Sequence, residues 1–223
     1  MKSGIYPFLR YSRFFILFLL VFPGLNGLAQ VRSYDLVKLL SQGLIEGDNR
    51  TVSALNKSAV RLSEADGYGV AWLKGVQFSE GTIEIDLRGK DVKQGSFLGV
   101  AFHGTTKDTC EAIYFRPFNF LSADSAQRSH MVQYVFENKY GWERLRNEFP
   151  GIYEGQVSPA INPAEWFHVR IELKGEMIKV YTNKSDQPCL TVKSLNAVRK
   201  GRLGLWVGNN SPGDFDHLIV RSN

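Results

Sequence analysis

Apolar and polar positions alternate with a period of two along most of this chain. Residues 82–88 put Ile83, Ile85 and Leu87 on one side and Glu84, Asp86 and Arg88 on the other. Residues 166–173 repeat the pattern, with Phe167, Val169, Ile171 and Leu173 opposite Trp166, His168, Arg170 and Glu172. Residues 96–103 set Leu98, Val100 and Phe102 against Gly99, Ala101 and His103. Successive side chains of a strand point to opposite faces, so each segment predicts a strand with one face in a core. Weaker strands are predicted at 59–65 and 69–73, and others at 112–118, 130–137, 177–183, 190–192, 202–208 and 215–220. Gly, Asn, Asp or Pro separates them every eight to twelve residues, and Lys174-Gly175-Glu176 forms a hairpin turn. Residues 34–44 fit a short helix or an opening strand. Many short strands and few helical stretches predict an all-β fold, a two-sheet β-sandwich.

The first residues have a different character. Lys2, Arg10 and Arg13 precede the apolar run 14–22, then Pro23 and Gly24 interrupt it and Gly27-Leu28-Ala29 supplies small residues. This is the layout of a signal peptide, cut after Ala29. The run is about half the length a membrane span needs. The expected division is therefore 1–29 signal peptide and 30–223 one β-sandwich domain, exported to the periplasm or the outside of the cell, with no membrane insertion after cleavage. Three charges of the formal +5 belong to the leader. The remaining domain is weakly basic and shows no run of basic residues, which argues against nucleic acid as a partner. Two cysteines, Cys110 and Cys189, are too few for a disulfide framework and read as separate thiols. CxxC and HxxxH spacings are absent, so no metal cofactor is expected. Asp214 and Asp216 would be the place for a calcium ion at the sandwich rim, with plain surface carboxylates as the simpler reading.

Residues 111–154 carry the candidate chemistry. Arg116, Asn119, Arg128, His130, Gln133, Arg144, Arg146 and Glu154 are interleaved with Tyr114, Phe118, Tyr134, Trp142 and Tyr153. Aromatic rings stack on the apolar faces of a pyranose, and planar donors and acceptors pair with its hydroxyls. A strand pair with ordinary structural aromatics would carry the same residues. On the ligand reading, Tyr114, Arg116, Asn119, Arg128, Gln133, Trp142 and Arg146 hold a carbohydrate. Alternation puts His103, Tyr114, Arg116 and Gln133 on one face. Arg116 precedes Pro117 and is held extended. Trp142 is expected on a loop, as an exposed stacking ring. Gly99, Ala101, Gly204 and Gly208 leave room across an outer strand face.

Three stretches resemble a known superfamily. AEWFHVRIELKGEMIKVYTNKSDQPCL, GRLGLWVGNNSPGDFDHLIV and GVQFSEGTIEIDLRG are similar to strands of concanavalin A-like lectin/glucanase jelly rolls. They look most like laminin G-like modules and the bacterial 3-keto-disaccharide hydrolase domain. The resemblance covers roughly residues 67–220 and implies a jelly-roll sandwich that is a lectin, an adhesion module or a hydrolase. Glucanases of this superfamily place three carboxylates on one strand as E-x-D-x-(x)-E. Here Glu84 and Asp86 match, but Arg88 or Gly89 takes the third position, and an arginine does not donate protons at working pH. Glu84 and Asp86 therefore read as the solvated face of a strand. The 3-keto-disaccharide resemblance implies elimination by a general base, for which Glu154, His130 and His103 are the candidates, with Arg116 or Arg128 stabilising an enolate oxygen. The leading expectation is a carbohydrate-binding domain. The alternatives are a hydrolase or lyase of the 3-keto-disaccharide type and a protein-adhesion module. The oligomeric state is open.

Overall fold

The computed structural model describes residues 30–222 apart from Lys107, together with Met1 and Gly4. The expected signal peptide lies outside these residues but for those two. The chain runs through β1 (Gln30–Tyr34), α1 (Leu36–Ser41), β2 (Ile45–Asp48), β3 (Val52–Ala54), β4 (Val60–Leu62), β5 (Gly69–Phe78) and β6 (Gly81–Arg88). It continues with β7 (Leu98–Gly104), β8 (Glu111–Phe115), a 3-10 turn at Pro117–Asn119, α2 (Ser125–Arg128), β9 (Val132–Phe136), α3 (Trp142–Glu148) and β10 (Glu154–Gly155). It ends with β11 (Phe167–Lys174), β12 (Met177–Thr182), β13 (Leu190–Lys193), β14 (Gly201–Val207) and β15 (Gly213–Ser222). The ambiguous opening stretch resolves into a strand followed by a one-and-a-half-turn helix. Asp35 caps α1, its side chain accepting from Lys38 N at 2.9 Å.

The strands form two antiparallel sheets. One has the order β13-β12-β11-β6-β15-β4-β3, with β1 also on β15; the other has the order β10-β9-β8-β7-β14-β5-β2. The all-β sandwich expected from alternation is the fold. Its core lies between the sheets. Ile83, Ile85 and Leu87 of β6 pair with Ile171, Val169 and Phe167 of β11, and all six are buried. Each such side chain contributes roughly 1.5–3 kcal/mol through removal from water. The second sheet answers with Val100, Phe102, Ile113, Phe115, Tyr134 and Leu205.

The polar partners on the outer face of β6 and β11 are cross-strand pairs, Asp86 opposite His168 and Glu84 opposite Arg170. His168 Nδ1 sits 2.7 Å from Asp86 Oδ1, and this hydrogen bond pulls the imidazole pKa upward. Glu84 bonds Arg221. The glucanase-like carboxylates therefore belong to a charge lattice on the first sheet. Asp214 is not a surface carboxylate. It is buried and takes two hydrogen bonds from Arg61 (2.6 and 2.9 Å) and two from Arg88 (3.0 and 2.8 Å). Burial raises its pKa, but the two guanidiniums outweigh burial and hold it below the ordinary value. Its oxygens are committed to arginines, which fits an ion pair and not a calcium ligand. Asp216 is likewise buried, accepting from Ser58 Oγ at 2.7 Å. Cys110 and Cys189 are free thiols. No described helix is long and apolar enough to cross a membrane.

Candidate functional site

One row of residues crosses the second sheet from strand to strand. Val70 of β5 pairs with Trp206 of β14, Trp206 with Gly99 of β7, Gly99 with Tyr114 of β8, Tyr114 with Gln133 of β9, and Gln133 with Glu154 of β10. Alternation places this row on the face turned away from the core. A Cβ on Gly99 would lie 1.9 Å from the Ile113 carbonyl oxygen. With no side chain there, the rings of Trp206 and Tyr114 meet across it, stacked with centroids 4.6 Å apart. They form part of the lining of a cavity of about 560 Å3. Tyr68, Phe97, Phe118 and Trp142 supply further aromatic lining.

Local structure sets the rim. Pro117 starts the 3-10 turn, and Arg116 is its N-cap, with φ −117° and ψ 81°, short of the fully extended conformation expected before a proline. Arg116 Nη2 donates to Tyr114 Oη at 2.8 Å and Gln133 Oε1 at 3.0 Å, and Nη1 donates to the His130 carbonyl at 2.9 Å. Its guanidinium lies over the Tyr114 ring, 4.9 Å from the centroid. Burial lowers its pKa, although an arginine stays charged. Trp142 is not on a loop as expected. It opens α3, which Leu145 anchors to the core, which Glu143 and Arg146 suit to the helix dipole, and which an Arg144–Glu148 pair at 2.8 Å braces. The helix leaves the Trp142 ring 48% exposed at the cavity, with Arg146 over it at 5.1 Å.

The structure brings Tyr114, Arg116, Asn119, His130, Trp142 and Arg146 into the lining. Others stand elsewhere. Gln133 is fully buried and acts as the acceptor that orients Arg116. Glu154 lies behind the lining, where Arg146 Nε and Nη2 donate to its oxygens at 3.1 and 2.8 Å. His130 Nδ1 is 2.8 Å from Glu154 Oε2 without hydrogen-bond alignment. Burial lowers the His130 pKa more than the Glu154 charge raises it. Arg128 turns away, donating to the carbonyls of Ser122 and Ala123 at 3.1 and 2.7 Å, and so braces the loop ahead of α2.

His103 departs furthest from expectation. Strict alternation would put it beside Gly99 and Ala101, but its φ is 52° and the β7–β14 register shifts next to it, between Arg202 and Gly204. The irregularity turns the ring inward. Nδ1 lies 2.7 Å from Glu111 Oε2, and Nε2 donates to the Ser79 carbonyl at 2.8 Å. Glu111 Oε1 also accepts from Tyr134 Oη at 2.7 Å and Ser194 Oγ at 2.6 Å, and Tyr134 Oη accepts from Leu195 N at 2.9 Å. This buried network ties β7, β8 and β9 to the segment leaving β13 of the other sheet.

Sequence reasoning missed Glu137, Trp206, Tyr68, Phe97 and Lys93 as lining residues. Glu137 continues the outward parity of Gln133 and Val135, so the signal was present. Its Oε1 accepts from Trp206 Nε1 at 3.2 Å, and burial pushes its carboxyl up to about 7 against that hydrogen bond.

No family model matches the chain, and no curated protein matches it. Solved structures do. The chain is similar to the carbohydrate-binding module CBM66 from Bacillus subtilis, with a TM-score of 0.53 and 16% identity over 81% of this chain and 92% of that one. It is similar to a protein of unknown function with a galectin-like fold from Bacillus subtilis, with a TM-score of 0.51 and 12% identity over 80% and 88%. It is also similar to the exoplasmic/lumenal domain of VIP36 in its Ca2+/Man3GlcNAc-bound form, with a TM-score of 0.53 and 12% identity over 81% and 84%. Identities this low speak for the fold alone, and they agree with the two sheets traced above: the chain has a two-sheet β-sandwich fold of the jelly-roll kind, like these structures.

Proposed function

We propose that this is an exported carbohydrate-binding domain and that the cavity on the outer face of the second sheet is its ligand site. The observation that carries the reading is the lining itself. Stacked and edge-on rings (Tyr114, Trp206, Phe97) and the half-exposed Trp142 alternate with planar polar groups (Arg116, Asn119, Arg146) around about 560 Å3. That volume falls in the range of roughly 300–1,000 Å3 typical of small-ligand pockets. A sugar offers apolar ring faces and hydroxyl edges, which this alternation suits. The sugar-binding proteins among the structural neighbours support the same ligand class, and the leader-like N-terminus supports export. Trp142→Ala is expected to weaken binding by about 1–2 kcal/mol, a five- to thirtyfold loss, with the melting temperature unchanged because the ring is half exposed. A glycan array followed by calorimetric titration of both proteins measures this. Equal affinities would move the site away from α3. Binding of proteins and of no glycan would favour an adhesion module.

A second reading has one specific observation behind it. Glu137 is a carboxyl poised near 7 inside the cavity. That is where a general acid or base works best. A glycosidase working with two flanking carboxylates is disfavoured, because Glu137 is the single carboxylate among the described lining residues and Glu154 is bound by Arg146 behind it. Elimination from a 3-keto-disaccharide, as the resemblance to that hydrolase domain implies, needs one base. On this reading Glu137→Gln lowers turnover of 3-keto-disaccharides by 100-fold or more. Product analysis showing no turnover by the wild type removes it.

A further inference from the structure

The cavity holds a cation with no counter-ion. Arg116 is 6% exposed, and its recorded acceptors are all neutral: the Tyr114 hydroxyl, the Gln133 amide oxygen and the His130 carbonyl. No carboxylate among the described residues comes within ion-pair distance of it. Arg146 differs, because Glu154 takes its charge at 2.8 Å. Arg50, the other buried arginine, differs too. It donates to the carbonyls of Asn49, Ala65, Gly67 and Gly208 and lines no part of the cavity, so it is a structural clamp. Burying a charge without an opposite charge is costly. The fold places such a charge at the wall of a cavity, where a ligand can reach it.

The surroundings add to this. Lys93 also lines the cavity, is exposed, and makes no ion pair among the described residues. Glu154 pairs with Arg146 at 2.8 Å and acts on Arg116 only from beyond ion-pair distance. The remaining carboxyl, Glu137, is pushed toward its neutral form by burial, so three cations, Arg116, Arg146 and Lys93, face one full and one partial negative charge. The region around Arg116 is therefore electropositive. Nη2 spends both hydrogens on Tyr114 and Gln133 and Nη1 one on the His130 carbonyl, which leaves Nε–H and one Nη1–H of Arg116 to donate to a carboxylate. Phe97 sits edge-on to both Tyr114 and Phe118, with Arg116 5.9 Å from its centroid, so an apolar ring face lies next to the anion position.

We propose that the cavity takes the carboxylated residue of an anionic glycan, a hexuronate, with Arg116 meeting the carboxylate and Lys93 flanking it. This rests on the carbohydrate reading above and narrows its ligand class.

Matched pairs test it: galacturonate and galactose oligomers, glucuronides and glucosides, and sulfated galactose oligomers, titrated calorimetrically into the protein at low and moderate salt. The expected result is at least tenfold tighter binding of the uronate in one pair, weakening as salt rises, as a charge-assisted hydrogen bond implies. Lys93→Gln, at an exposed position, should reduce the uronate preference several-fold with an unchanged melting temperature. Arg116→Lys keeps the charge but loses the spare Nε–H and Nη1–H donors, and should narrow the preference further. Equal affinity for acidic and neutral partners overturns the anion assignment and leaves the carbohydrate reading standing. Preference for the sulfate esters over the uronates overturns the carboxylate assignment. Binding of no sugar in any set overturns both.

Discussion

Replacing Glu111 by alanine is expected to remove about 3–5 kcal/mol of stability, the cost of breaking a buried hydrogen-bond network built on one carboxylate. Glu111 is fully buried and serves three donors or proton-sharing partners at once: His103, Tyr134 and Ser194. Alanine leaves the His103 ring, the Tyr134 hydroxyl and the Ser194 hydroxyl facing a void. It also loosens Leu195 N, whose acceptor is the Tyr134 oxygen. For a domain of this size the melting temperature should fall by on the order of 10 °C or more. Glu111→Gln should cost much less. Its oxygen still accepts from Tyr134 and Ser194, and its amide donates to His103 Nδ1 while Nε2 keeps its proton for the Ser79 carbonyl. Urea unfolding of the wild type, both variants and an exposed control such as Glu148→Ala measures the order. An alanine variant within 1 kcal/mol of the wild type would show that the network contributes little.

Gly99→Ala should cost nearly as much and act on the site as well. The new Cβ would lie 1.9 Å from the Ile113 oxygen and 2.6 Å from the Tyr114 Cα, both backbone atoms that no rotamer change can move. Either β7 and β8 separate or the Tyr114–Trp206 stack opens. Overpacking of this kind costs roughly 1–3 kcal/mol and more where backbone must shift. Ligand affinity should fall with stability, unlike in Trp142→Ala. Thermal melts paired with titration separate the two behaviours. A Gly99→Ala protein of normal stability and affinity would mean that the floor adapts at no cost.

The sandwich was legible where one face of a strand meets the core. In β6 and β11 the Ile, Leu, Val and Phe positions read directly as buried and the charged positions as a solvated outer face, but the cross-strand pairing of those charges did not show in the alternation. The site was legible in part, for the same reason and its converse. Parity put Tyr114, Arg116 and Gln133 on one face. It failed at His103, because a positive φ and a register shift invert a side chain without changing the apolar pattern. Trp142 looked like loop because a seven-residue helix capped by Gly141 is too short to show a helical period. The short strands β1, β2, β3 and β10 carry no alternation long enough to see. Trp206 could be recognised as flanked by glycines, but its contact with Tyr114 depends on β14 and β8 lying on either side of Gly99, which is a fact of topology. Whether Glu154 is free to act depends on Arg146 reaching it, and side-chain pairing of that kind leaves no trace in residue order.

The pairing of Gln30 with Ser222 has a consequence for how such a module can be carried. Gln30 and Ser222 lie side by side on the first sheet, while the cavity opens on the outer face of the second. A tether at either end, or a host loop joined to both, therefore approaches from the side away from the mouth. Closely spaced ends of this kind allow a domain to be inserted into another chain with little disturbance. The same geometry keeps anything attached near residues 30 and 222 clear of the cavity face.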